Sequence, residues 1–177
     1  MFPEPFGYNP SMFKGFPVFV MIALLAVPRF AGATDCTSQP SPDVDWQRCY
    51  FDGKDLQGKD LTRARLRDAS FERANLSNAV LSDVNAYRAK FISSVMTGAK
   101  LDQGNFQEAD FTKADLSKAS LKNADLRRAH FFRANLQGAD LSGAKTNGAD
   151  MLNADLSGAT WTDGRLICAA GSIGQCN

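Results

Sequence analysis

Residues 111–130 read FTKADLSKASLKNADLRRAH, and a large apolar residue stands at every fifth position, at Phe111, Leu116, Leu121 and Leu126. An alanine lies two residues before most of these positions, and the spacing continues without insertion or deletion from Phe51 to Leu166. A period of five fits neither the 3.6-residue period of a helix nor the two-residue period of a strand. It indicates a repeat whose units bury their apolar faces by stacking on one another.

A longer period of twenty lies inside the period of five. When the large residues are sorted by twenty, one class contains Phe51, Phe71, Phe91, Phe111, Phe131 and Met151. The pattern therefore predicts four five-residue units per turn, each forming one side of a square coil, with residues twenty apart stacked on one another. We call the phenylalanine class side one, and the classes that begin with Leu56, Leu61 and Leu66 sides two, three and four. The large residue of each unit is its central residue, and the residue two before it is its small residue.

Several units read Ala-Asp-Leu, as in 114–116, 124–126, 139–141 and 154–156. Over residues 49–166 the chain resembles the pentapeptide-repeat family, whose repeat is written A(D/N)LXX. The resemblance implies an all-β fold, a right-handed quadrilateral β-helix of about six coils, with the central and small residues pointing inward. Where the sizes depart from the repeat, we expect compensation: Phe106 follows the small residue Gly104 and should help to fill the space left one coil below by Ala86.

The first and last units are irregular, which predicts covered ends. Lys54 and Lys59 occupy small positions, where a charged side chain is costly to bury, so we interpret 50–60 as an open first coil covered by the segment that contains Trp46. We assign residues 34–48 to an N-terminal cap, 49–166 to the β-helix and 167–177 to a C-terminal cap.

All four cysteines flank the repeats: Cys36 and Cys49 before them, and Cys168 and Cys176 after them. The two ends of a solenoid of this length stand about 25–30 Å apart, since stacked strands are about 4.8 Å apart. A disulfide needs Cα atoms within about 7 Å. The pairs Cys36–Cys49 and Cys168–Cys176 are therefore predicted, each closing one cap.

Residues 1–33 are interpreted as a secretory signal peptide. Lys14 precedes the apolar run FPVFVMIALLAV at 16–27, and Ala31-Gly32-Ala33 supplies the small residues of a cleavage site. The run is shorter than the roughly 20 residues that a membrane span needs, so we expect no span after cleavage. Translation from Met1 or from Met12 and retention of the signal as an anchor both stay open. Export to the periplasm or the medium agrees with disulfides.

The whole chain has a formal net charge of +1, and the part after residue 33 carries equal numbers of acidic and basic residues. Non-specific nucleic-acid binding needs a surplus of basic charge, so no nucleic-acid partner is expected. Neutrality also argues against an acidic mimic of DNA.

No catalytic, cofactor or metal site is predicted. His130 is the only histidine, no partner for it can be argued, and no C-x-x-C pair suggests a metal centre. The repeated Asp residues, such as Asp115 and Asp155, are expected to bond nearby backbone groups at the corners. The chain is therefore not expected to be an enzyme and needs no cofactor.

One outward column on side one suggests a contact face. Ile92, Thr112, Phe132 and Leu152 occupy the same outward position in successive coils, and basic residues lie near them. The candidate partner face consists of Ile92, Phe132, Leu152, Arg128, His130 and Arg133. Tolerated apolar residues and a solvated charged surface are the alternative interpretation.

The sequence thus favours a non-enzymatic exported scaffold, monomeric or homodimeric, that binds an unidentified protein or envelope partner. The alternative that the resemblance implies is a topoisomerase-shielding protein that mimics DNA, like the quinolone-resistance members of the family. The signal peptide and the neutral charge disfavour it.

Overall fold

The computed structural model describes residues 35–177. The predicted signal peptide, with the choice between Met1 and Met12 and the question of cleavage, lies outside the described residues. Within 35–177 there is no helix and no strand longer than a single bridging residue. The secondary structure consists of isolated bridges, one in every five residues.

These bridges build an all-β solenoid. Each parallel bridge joins a residue to the residue twenty positions later, beginning with Asp45↔Arg65 and ending with Asp140↔Thr160. Four consecutive bridges belong to four successive five-residue units, so twenty residues complete one turn. The period of twenty in the sequence is therefore the length of a coil.

Every corner of the coil is a tight turn. The N–H of Ala69 donates to the carbonyl of Leu66 over 3.0 Å, and Asp68 between them has a φ of 56°. A turn closed by residues i and i+3, with positive φ at i+2, has the signature of type II. Glycine suits this position, as at Gly143 with a φ of 72°, but many corners carry Arg, Lys, Asp or Asn instead.

The central and small residues fill the inside of the coil, as the sequence predicts. On side one the rings of Phe71 and Phe91 stack with centroids 5.3 Å apart, and the rings of Phe111 and Phe131 stack at 5.0 Å. These rings and leucines of the other sides such as Leu76, Leu101 and Leu126 are fully buried. Since buried Phe and Leu side chains each stabilise a fold by about 1.5–3 kcal/mol, this continuous core holds the coils together.

The solenoid begins earlier in the chain than residue 49, where we expected the β-helix to start. Asp45 already bridges to Arg65. Trp46 takes the central position of this unit at 1% exposure, and its ring lies 4.1 Å from that of Phe51. Val44 and Cys49 take the small positions and are buried. The repeat therefore extends to residues before Phe51, although its large and small positions are there occupied by Trp, Val and Cys instead of Leu or Phe and Ala.

Lys54 and Lys59 keep the turn geometry of the repeat but are exposed. Their N–H groups donate to the carbonyls of Phe51 and Leu56, both over 3.1 Å. They line an opening at the N-terminal end together with Trp46. The first coil therefore stays open on this part of its circumference, in agreement with the interpretation of 50–60.

Both predicted disulfides are present. The Cα atoms of Cys36 and Cys49 are 5.5 Å apart, and those of Cys168 and Cys176 are 4.8 Å apart. After the last parallel bridge the chain reverses, and antiparallel bridges join Thr160 to Ile167 and Asp155 to Ile173. The C-terminal segment thus folds back onto two sides of the coil.

Phe106 points into the coil and is fully buried. A Cβ atom added to Gly104 would lie 2.3 Å from the Cε2 atom of the Phe106 ring, so the ring lies over the glycine. The ring also lies 6.1 Å from Phe91 and 5.7 Å from Phe111, measured between centroids. Gly104 and Phe106 therefore form a matched pair in which one residue makes room for the other.

This pairing predicts that Gly104→Ala destabilises the protein by about 1–3 kcal/mol, because the buried ring has little room to move. Phe106→Leu alone should also destabilise, since it leaves a cavity. The double variant restores the Ala-x-Leu pattern found at 124–126 and should be more stable than the sum of the single changes implies. Denaturant unfolding of the four proteins measures this coupling. Strict additivity would contradict it.

Candidate binding surface

The outward column of side one is formed as expected from the register. Bridges Lys90↔Asp110, Asp110↔His130 and His130↔Asp150 stack the residues that precede it. Leu152 is 60% exposed at the end of the column, while Ile92, Thr112 and Phe132 are half-buried. The column is thus a narrow apolar strip that becomes more exposed towards the C-terminal end.

Basic groups lie around this strip. The guanidinium of Arg133 stands over the Phe132 ring, 5.1 Å from its centroid. Such a contact leaves the cation accessible while it covers part of the ring. Phe132 and Arg133 therefore present one mixed surface, apolar at the centre and positive at its edge.

Arg128 and His130 line an open groove of about 660 Å³ at the corner between sides four and one. The charges in the groove alternate from coil to coil, since Arg88 contacts Asp68 at 3.3 Å and Arg128 contacts Glu108 at 3.7 Å. Such exposed pairs contribute little to stability. The groove is therefore a bipolar surface and not a uniformly positive one.

Two of the basic residues near the strip are engaged locally. Arg127 donates to both carboxylate oxygens of Asp125, at 2.8 and 2.6 Å, and Lys122 contacts Asp140 at 3.1 Å. Arg127 lowers the pKa of Asp125 through this hydrogen bond, partial burial opposes the shift, and the charge of Lys145 supports it. The positive charge available to a partner is thus smaller than the residue count indicates.

His130 is exposed at the edge of the groove. Within residues 35–177 its side chain has no hydrogen-bond partner, and no Ser, Thr or Cys lines the groove with it. A nucleophile activated by a base needs such a pair within hydrogen-bond reach. Nor does this part of the chain contain a group of His, Cys, Asp or Glu residues that could hold a metal ion.

The repeated Asp and Asn residues stabilise the corners, which confirms the interpretation made from the sequence. A carboxylate oxygen of Asp155 accepts from both the N–H and the hydroxyl of Ser157, at 3.0 and 2.6 Å. Asn75 accepts the same two bonds from Ser77, at 3.1 and 2.7 Å. Because the carbonyl oxygen of Asn replaces the carboxylate in this role, the row serves local geometry.

Tyr87 lies on the outer surface of side four and was not predicted from the sequence as a surface contact. Its hydroxyl donates to Glu108 over 3.1 Å, and the Arg67 guanidinium lies 5.2 Å from the ring centroid. Arg67, Tyr87, Gln107 and Arg127 share one outward position twenty residues apart. Sorting the outward residues by twenty, as was done for the inward ones, would have identified this column.

The C-terminal end is more apolar on its surface than the sequence predicted. Leu152, Leu166, Ile167 and Ile173 are four of the six large hydrophobic residues that are exposed within 35–177. No helix in this part of the chain could cross a membrane. The exposed apolar surface is therefore concentrated at one end of a solenoid.

The corner carboxylates predict acid sensitivity. Hydrogen bonds from the Ser157 hydroxyl and N–H hold the pKa of Asp155 below its ordinary value, and those from Thr62 do the same for the pKa of Asp60. A depressed pKa adds stability above the ordinary value of about 3.9 and loses it as the pH falls through the folded-state value. Thermal unfolding should therefore shift to lower temperature below about pH 4.

The matched variants are Asp60→Asn and Asp155→Asn, which keep the acceptor oxygen that Asn75 uses. The difference in unfolding temperature between wild type and each variant should be smaller at pH 3 than at pH 7. Melting curves followed by circular dichroism from pH 7 to pH 2 make the comparison. Parallel curves for wild type and both variants would contradict the assignment.

Two sequence profiles match the chain: one described as a pentapeptide repeat region over residues 64–141, and one described as pentapeptide repeats (8 copies) over 134–160. No match was found among curated proteins.

Solved structures of pentapeptide repeat proteins are similar to this chain. HetL, a protein involved in heterocyst differentiation regulation in the cyanobacterium Nostoc sp. strain PCC 7120, is 27% identical, with a TM-score of 0.47, over 72% of this chain and 66% of that one. QnrB1, a plasmid-mediated fluoroquinolone resistance protein, is 27% identical, with a TM-score of 0.64, over 67% of this chain and 60% of that one. The matched part is thus less than two thirds of either protein's length.

A pentapeptide repeat protein of the Arabidopsis thaliana thylakoid lumen is 22% identical, with a TM-score of 0.22, over 73% of this chain and 85% of that one.

The matching profiles, the unbroken five-residue spacing and the bridges between residues twenty apart lead to one assignment. The chain belongs to the pentapeptide-repeat family.

Proposed function

We propose that this protein is a non-enzymatic, exported scaffold that binds a protein or cell-envelope partner through side one. In this proposal the solenoid is a right-handed, four-sided β-helix of about six coils, with a short disulfide-closed cap at each end. The protein acts as a monomer or a homodimer. The observation that carries the proposal is the outward strip of Ile92, Phe132 and Leu152, which ends in a side chain that is 60% exposed.

The chemistry of this face suits a partner that is partly apolar and partly charged. Phe132 and Leu152 supply apolar area, and Arg133 over the Phe132 ring supplies a cation at its edge. Aromatic residues and arginine are enriched where proteins bind one another. Arg128 and His130 extend the face into the neighbouring groove, where opposite charges favour a partner with a defined charge pattern.

Export is supported by the sequence order of a signal peptide and by two cysteine pairs at disulfide distance. Disulfides persist in oxidising compartments outside the cytoplasm. A cross-link at each end helps a small solenoid to resist unfolding there. The proposed site of action is therefore the periplasm or the medium.

The test is co-purification from the exported compartment with wild type, Phe132→Asp and Leu152→Asp. Both changes place a negative charge on the strip and should lower partner recovery at least tenfold, since a buried unpaired charge opposes binding. Gln57→Glu is the matched control, because Gln57 is exposed at the same repeat position on side two and lies outside both proposed binding surfaces. Equal recovery with all four proteins would remove this face from the proposal.

The second candidate is a topoisomerase-shielding protein, and the likeness to QnrB1 at 27% identity and a TM-score of 0.64 favours it. Its surface would have to resemble duplex DNA in charge, yet the part of the chain after residue 33 is neutral. A supercoiling assay with DNA gyrase and a fluoroquinolone separates the two candidates. Protection of gyrase by the purified protein would support the second, and unchanged inhibition would exclude it.

A further inference from the structure

We propose that the C-terminal end of the solenoid accepts an extended peptide segment of a partner protein, which pairs with residues 144–153 and adds two sides of a further coil. The proposal concerns the backbone rim of the last coil, which adjoins the strip on side one at Leu152. It rests on unpaired backbone groups, an open pocket and a charged residue at the same end.

Among the residues that the structure describes, the backbone groups of the last coil have no partners on two sides. One coil earlier, the Leu126 N–H donates to the carbonyl of Lys145 over 2.9 Å. The central residues of the other earlier units donate to the next coil in the same way. Within residues 35–177 no acceptor pairs with the N–H groups of Thr146, Gly148 and Met151, and no N–H pairs with the carbonyls of Ala144 and Ala149. A row of free donors and acceptors is a template for an added strand.

The C-terminal segment satisfies only the other two sides. The N–H groups of Leu156, Gly158 and Trp161 donate to carbonyls of Ser172, Cys168 and Leu166, over 2.8, 2.8 and 2.7 Å. These bonds cover sides two and three, which also hold the two antiparallel bridges. Sides four and one stay open. The cap on sides two and three lies next to them and limits the length of the open edge.

The inside of the coil is also open at this end. Thr146, Ala149, Met151 and Trp161 are partly buried, whereas Leu126, Ala129, Phe131 and Leu141 below them are fully buried. They line a pocket of about 340 Å³ together with Gly174, Gln175 and Cys176. A large apolar side chain placed over Met151 would extend the stack of rings that reaches up to Phe131.

Charge in the open edge indicates which peptide fits. In the same outward column, the Arg65 guanidinium contacts the Asp45 carboxylate of the coil below at 2.9 Å. Lys145 is the last residue of this column and is exposed. An acidic side chain over Lys145 would pair with it across neighbouring coils as Asp45 and Arg65 do, with the acid now in the later coil. The expected ligand is therefore an extended segment with an acidic residue followed by apolar residues.

A second copy of this chain fits the edge less well. The free edge is half of one coil, and stable protein interfaces bury roughly 800 Å² per partner. The cap occupies the other half, so two copies cannot stack whole coils at this end. A short segment needs no larger surface, because backbone hydrogen bonds supply much of its affinity.

The probe is a labelled synthetic peptide with the sequence of residues 124–134, ADLRRAHFFRA, which forms these two sides in the coil below. With the full chain, we expect saturable binding by fluorescence anisotropy and at least tenfold slower amide exchange at Thr146, Gly148 and Met151. Met151→Lys puts a charge into the pocket and should weaken binding at least tenfold. Leu166→Lys, on the exposed cap, should leave it unchanged.

Three results would overturn the proposal. The first is binding of a scrambled peptide of the same composition with equal affinity, and the second is binding by Met151→Lys as tight as that of wild type. The third is absence of peptide binding by wild type; if sedimentation then shows a dimer that Met151→Lys dissociates, the end receives a second copy. Specific binding with protection of the three amides supports it.

Discussion

The inside of the coil admits one large and one small side chain per side, and the rest of the structure depends on this width. Phe131 can lie fully buried above Phe111 only because an alanine stands beside each of them. When one size changes, its neighbour must change as well, as Gly104 does beside Phe106. The spacing of five follows, since a unit must reach across one side, turn a corner and present the next pair.

This constraint separates inward from outward positions almost completely. Inward residues must have a volume that fits the coil. Outward residues can vary, because they contact solvent or the residue one coil away. The exception is the residue before the central one, where Asp or Asn closes the corner in most coils, as Asp155 does with Ser157. The surface that a partner contacts is therefore formed by the side chains of the remaining outward columns.

The inward residues could be predicted from the sequence, because the limits on their size recur with a fixed period along the chain. The register, the phenylalanine stack, the burial of Phe106 and both disulfides follow from spacing alone. The start at Asp45 was less visible, since Trp46, Val44 and Cys49 satisfy the size rule with unfamiliar residues. The groove at His130 and the contacts of Tyr87 could not be predicted, because they depend on how long side chains such as Arg88 and Arg67 lie across neighbouring coils.

The two cysteine pairs lie where a stack of this kind is weakest. Each coil contacts only its neighbours, so the terminal coils lack one neighbour and detach before the middle ones. Cys49 lies in the first coil, and the Cys168–Cys176 loop holds the segment that pairs with the last. Cross-links in the middle would leave both ends free to fray. Placed at the ends, they restrain the segments that fray most readily, so reducing conditions are expected to loosen the ends of the stack before its middle.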